Sequence, residues 1–130
     1  MSKPLPSVDA WLAEAKAHES APNIGMYLTH NGVVRRSAKA QVRQGVDAPP
    51  VTGMLFGYDQ ARVDGVIADT MAMDGIYYVK VWLNEGQLQV GDSIMQVLIG
   101  GDIRPRVVDA LQYLVGRIKN ECVTETEISE

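Results

Sequence analysis

Two arginines stand where a helix is expected to begin. In "IGGDIRPRVVDALQYLVGRIK", residues 99–119, an apolar run ends in Gly100 and Gly101, which read as a flexible pair. An amphipathic stretch follows at once, with Arg104 and Arg106 in its first turn. The helix macrodipole disfavours positive charge there, and acids or small hydroxyl residues are the usual occupants. Backbone N–H groups at a helix start bind phosphate, and a guanidinium adds a two-donor fork, so one reading is an anion site. The blander and commoner reading leaves both side chains in solvent beside Asp102 or Asp109, at a cost of a few tenths of a kcal/mol. Asp102 is the expected helix cap, and Pro105 suits an early helical position.

A second basic group comprises Arg35, Arg36, Lys39 and Arg43, inside the polar stretch 35–50 that closes on Pro49 and Pro50. Such a segment acts either as a lid over an anionic ligand or, more commonly, as a solvated loop. Arg117 and Lys119 end the last helix, where positive charge is favourable, so position alone explains them. His30, at a strand end, reads as a structural residue. Cys122 reads as a small apolar filler, since Glu121 and Glu125 beside it raise a thiol pKa. His18 and His30 stand alone, and no P-loop, dinucleotide fingerprint or nucleophile elbow is present. Neither a metal nor a cofactor is implied.

The elements that must position these residues follow from periodicity. "VDAWLAEAKAHES" behind Ser7 and "DQARVDGVIADTMAMDG" behind Asp59 have helical spacing, ended by Pro22 and Gly75 respectively. The last helix is expected from about Arg104 to Glu121, with Val107, Val108, Leu111, Leu114, Val115 and Ile118 as its apolar stripe. "NIGMYLTHNGVV", "VTGMLFGY", "IYYVKVWLN" and "SIMQVLIG" read as strands, "EGQLQVGD" as a turn-rich connector and "VTETEIS" as an edge strand. The order α-β-β-α-β-β-α-β indicates an α+β fold, a mostly antiparallel sheet covered by helices. The 130 residues suit one domain, 1–130, with 46% apolar content ordinary for a globular protein.

A net charge of −4 offers no general attraction to nucleic acid or to an anionic membrane. The last ten residues carry Glu121, Glu125, Glu127 and Glu130 and no base. One cysteine excludes an intrachain disulfide, "MSKPLPSVDAW" has no signal-peptide core, and no apolar run approaches membrane-spanning length. A cytoplasmic location is the simplest expectation.

The segment "EGQLQVGDSIMQVLIGGDIRPRVVDALQYLVGRIK" resembles the large, catalytic subunit of molybdopterin synthase. Gly86, Leu88, Gly91 and Asp92 match that family's G-x-L-x-x-G-[DE] turn, Arg104 falls on its arginine and Lys119 on the first of two catalytic lysines. Upstream, Gly32, Val34 and Arg35 match a strand ending G-x-V-R, Tyr58 matches a tyrosine, and the similarity runs from about residue 7 to 127. The resemblance implies an α/β-hammerhead-like fold and a homodimer. It also implies an arginine-lined pocket for a cyclic pyranopterin monophosphate, and a ubiquitin-like small subunit whose Gly-Gly tail delivers thiocarboxylate sulfur. Lys119 would be the catalytic group, with Arg35 and Arg104 binding substrate; Arg106 has no counterpart. The departures are Ile103 for a histidine, Thr126 for the second lysine, Leu83–Asn84 for a histidine-arginine pair and Phe56–Gly57 for a glutamate-histidine pair. They leave a second implication open, a catalytically degenerate paralogue acting as a binding or assembly module.

Overall fold

The most apolar stretch of the chain is also its most enclosed. The computed structural model describes residues 3–45 and 47–129. In it, "SIMQVLIGG" forms strand β5 (Ser93–Gly101), buried along nearly its whole length. It is the middle of a three-stranded antiparallel sheet, between β1 (Met26–Val33) and β3 (Ile76–Leu83). Leu28 and Val79 both pair with Ile99. Each face is covered. Helix α4 (Arg104–Arg117) packs on all three strands, and α3 (Gln60–Met71) lies against β3 and α4. On the other side α1 (Val8–Ala17) sets Trp11 and Ala15 over Leu98.

A second antiparallel sheet has the order β4-β2-β6, from Gly86–Gln89, Val51–Tyr58 and Val123–Ser129. The alternation in β2 sends Met54 and Phe56 to the core with Leu88, while Leu55 stays 49% exposed. One apolar core joins both sheets, α3 and α4. Val107, Leu114 and Ile118 on the α4 side are fully buried, about 1.5–3 kcal/mol each for side chains of that size. Ser7 and Asp59 cap α1 and α3 as expected, accepting from the amides of Ala10 and Arg62.

Five details differ from the sequence-based expectations. The connector "EGQLQVGD" contains β4, bracketed by Gly86 and Gly91, both at φ +93°. The stretch 35–50 contains a short helix, α2 (Lys39–Gln44). Helix α4 stops at Arg117 and continues as a π-helical turn, Ile118–Cys122. The N-cap of α4 is Ile103 without a side-chain bond; Asp102 accepts instead from the Ile103 amide and from Arg106. Finally, Gly100 and Gly101 are no flexible pair but the end of β5. A Cβ on Gly101 would lie 2.6 Å from Val107 Cγ2 and 2.7 Å from the Gly75 carbonyl oxygen, so the helix start and the α3–β3 turn can approach only over glycine. Glu130 of the acidic tail lies outside the described residues.

Candidate functional site

The register of β6 decides what lines the cleft that gathers most cations. Two-residue periodicity puts Glu125 and Glu127 on one face of "VTETE" and Thr126 on the other. Both glutamates line a cleft of about 210 Å³, while Thr126 is exposed on the opposite side. Four cations share that cleft: Arg35 from the end of β1, Lys39 and Arg43 from α2, and Lys119 from the π turn. Val33, Met54 and Ile94 give it an apolar wall.

Local structure aims each group. The π turn is wider than an α turn, and such turns recur at functional positions. Here it carries Lys119 past the last α-helical residue, and Nζ meets Glu125 Oε1 at 3.0 Å. Arg35 Nε donates to the Ser37 carbonyl at 3.1 Å. The Lys39 amide, at the start of α2, donates to Glu127 Oε2 at 3.0 Å. No ion pair is made by Arg35, Lys39 or Arg43 among the described residues. Behind the cleft His30 is half-buried, and burial first, then the positive charge of Lys119, holds its imidazole below the ordinary 6.5. It is neutral at pH 7.

Arg104 lies elsewhere. It is the first residue of α4, and fifteen residues separate it from Lys119, about 22 Å of helix. In a single chain Arg35 and Lys119 therefore converge and Arg104 does not join them. Arg106 pairs with Asp102 at 2.8 Å, the solvent-side arrangement expected of it. Arg117 is a structural hub: it binds Glu121 through two nitrogens and also reaches Asp69 and the Tyr113 hydroxyl. Those partners raise its pKa further, and its guanidinium in turn holds the Glu121 carboxyl below the usual range.

Cys122 lies beside a second, shallower cleft with Tyr58, Asp59 and Arg62. Burial, then Glu121, pushes its thiol pKa up, as suits a filler and not a nucleophile. A feature that sequence reasoning missed is Lys3. Its ammonium donates to Tyr58 Oη at 2.7 Å and the Leu83 carbonyl at 2.6 Å, over the Tyr58 and Trp82 rings. Its amide donates to Asn84 Oδ1 at 2.7 Å. Nothing in the local pattern of "MSKPLP" signals so distant a docking.

The MoaE protein family model matches residues 7–121. The chain belongs to the MoaE family. MoaE proteins are the large subunits of molybdopterin synthase and act in molybdenum cofactor biosynthesis. No functionally curated protein matches the sequence. Among solved structures the chain is similar to molybdopterin synthase from Staphylococcus aureus, at 16% identity and TM-score 0.75 over 98% of this chain and 88% of that one. It is likewise similar to a molybdopterin biosynthesis MoaE protein from Burkholderia ambifaria, at 18% identity and TM-score 0.72 over 98% and 83%. A complex of subunits 1 and 2 of molybdopterin-converting factor from Helicobacter pylori matches at 16% identity and TM-score 0.67 over 95% and 76%. These likenesses establish the MoaE fold for the two sheets and the helices between them. Against that frame the departures have a physical form. Ile103 is 53% exposed beside Arg104, and position 126 faces away from the cleft. Glu125 supplies a carboxylate to Lys119.

Proposed function

We propose that the protein works as the large subunit of a molybdopterin synthase, in the cytoplasm, with the Lys119 cleft as its reaction centre. The observation that carries this is the convergence of Arg35 and Lys119, distant in sequence, in one cation-rich cleft. A pyranopterin monophosphate would set its phosphate among the arginine and lysine side chains. The Gly-Gly tail of a ubiquitin-like small subunit would enter beside Lys119 with its thiocarboxylate. The thiocarboxylate sulfur forms a C–S bond to a pterin side-chain carbon as a C–O bond there breaks, and water then cleaves the acyl–sulfur bond to leave the Gly-Gly carboxylate. The Lys119 ammonium stabilises the charge developing at the acyl group or carries a proton. Arg104 can bind the same substrate only from a second copy, because about 22 Å separates it from the cleft of its own chain. A homodimer is therefore part of the reading. No helix among the described residues is long and apolar enough to cross a membrane.

The test is a single-turnover assay of the purified protein with a thiocarboxylated small subunit and the cyclic pterin. The expected result is dithiolene product detected by mass spectrometry. No product at any protein concentration sinks the enzymatic reading.

One observation favours a second reading, a non-enzymatic binding or assembly module. Lys119 is already neutralised by Glu125, and Thr126 offers no second ammonium to the cleft. Under that reading, calorimetry detects the pterin or the small-subunit tail binding without turnover.

A further inference from the structure

The two sheets share one core but no strand pairing among the described residues. One side chain bridges them. Lys3 Nζ donates to the Tyr58 hydroxyl, at the end of β2, and to the Leu83 carbonyl, at the end of β3. The ammonium also lies 4.8 Å from the centre of the Tyr58 ring and 5.7 Å from that of Trp82. The Lys3 amide binds Asn84, which is itself buried and donates to the Ser93 carbonyl. A partly buried ammonium is costly unless its donors are met, and here two oxygens and two ring faces meet them. Pro4 and Pro6 stiffen the short link from Lys3 to the Ser7 cap of α1, which lowers the entropy lost on docking.

Tyr58 adjoins the residues that seat the π turn. The last carbonyls of a helical turn have no partner within it. Here the Cys122 carbonyl accepts from the Asp59 amide at 2.8 Å, and the Glu121 carbonyl accepts from the Arg62 guanidinium at 3.2 Å. Both donors stand at the start of α3, directly after Tyr58. We propose that Lys3 is a positioning residue: the N-terminal segment is a latch that fixes the Tyr58–Asp59 junction and, through it, the π turn that carries Lys119. The effect on turnover rests on the reading of Lys119 given above; the latch itself does not.

Cys122 is a built-in reporter. It is the one cysteine of the chain, 3% exposed, and it shares the second cleft with Tyr58. In the full chain, Lys3→Ala is expected to speed its trapping by a small aromatic disulfide about tenfold, as two charge-assisted bonds are lost. Amide hydrogen exchange at residues 119–122 should quicken alike, with the amides of β5 unchanged. Lys3→Arg keeps the charge and the donors and should restore the wild-type rates. Lys3→Met keeps the apolar stem without donors and should behave as Lys3→Ala. In the sulfur-transfer assay Lys3→Ala is expected to lower kcat about tenfold with KM for the pterin little changed. Unchanged trapping and exchange in Lys3→Ala, wild-type behaviour of Lys3→Met, or equal acceleration of the β5 amides each overturns the latch. A loosened π turn with unchanged kcat overturns its link to Lys119. An inactive wild type sinks the proposed function instead, and trapping and exchange still decide the latch.

Discussion

The two ends of helix α4 carry similar residues in opposite surroundings. At the N-terminal end, Arg104 and Arg106 project from an uncapped first turn into solvent, and among the described residues the one charge contact is the Arg106–Asp102 pair. At the C-terminal end, a π turn delivers Lys119 into a cleft where β1, α2 and β6 bring three more cations and two carboxylates. Residue type does not separate the ends. What separates them is how many other elements converge, and only the second end has the walls to hold a small anion in one place.

The sharpest way to break that comparison is Lys119→Ala, expected to lower sulfur transfer by about 100-fold or more, because groups that act as a unit fail together. Arg104→Ala sharpens it. If Arg104 serves the cleft of a second copy, its loss also cripples turnover, yet mixing the two inactive variants regains activity. Random exchange gives about half mixed dimers with one intact cleft of two, hence about a quarter of the wild-type rate. No recovery on mixing removes Arg104 from the chemistry.

Between the two ends the helix is core. Leu114→Ala is expected to cost about 2–5 kcal/mol in urea unfolding, and Arg106→Ala less than about 0.5 kcal/mol. Equal losses would mean that the exposed end is as integral to the fold as the buried middle.

Much of this architecture was legible because burial imposes a period. The stripe of α4, the continuous apolar run of β5 and the alternation in "VTETEIS" each forecast the observed element. The caps of α1 and α3 were readable for the same local reason, a hydroxyl or carboxylate three residues before an amide it can reach. What failed was non-local. Gly100 and Gly101 read as flexible because sequence does not show that Ile24 and Tyr27 press against the first, and Val107 and the Gly75 carbonyl against the second. The docking of Lys3 on Tyr58 and the seating of α2 by Glu127 join segments far apart in the chain, and the π turn is local but leaves no mark in an apolar stripe that runs on through Ile118. The separation of Arg104 from Lys119 is implicit in the helix length, whereas family correspondence carries no distance between them.

Two smaller effects probe the Lys119 end. Glu125→Gln removes the carboxylate that neutralises the ammonium, and phosphate affinity should rise several-fold at low salt. A fall would show that Glu125 orients Lys119 for the ligand. His30 contributes a pH dependence whose sign is fixed. Its folded pKa is lowered, so the unfolded chain binds the proton more readily. Stability from this group is complete above about pH 6.5 and declines as pH falls from there toward the lower folded pKa. His30→Gln should flatten that part of the stability–pH curve in urea titrations, and an unchanged slope would remove His30 from the account.

The most direct test of the central claim is to titrate the cyclic pyranopterin monophosphate into isotopically labelled protein and follow the side-chain resonances. The largest shifts are expected at Arg35 Nε and Lys119 Nζ, with Arg62 and Cys122 of the second cleft unmoved. Shifts confined to Arg62 and Cys122, or none at saturating pterin, would contradict it.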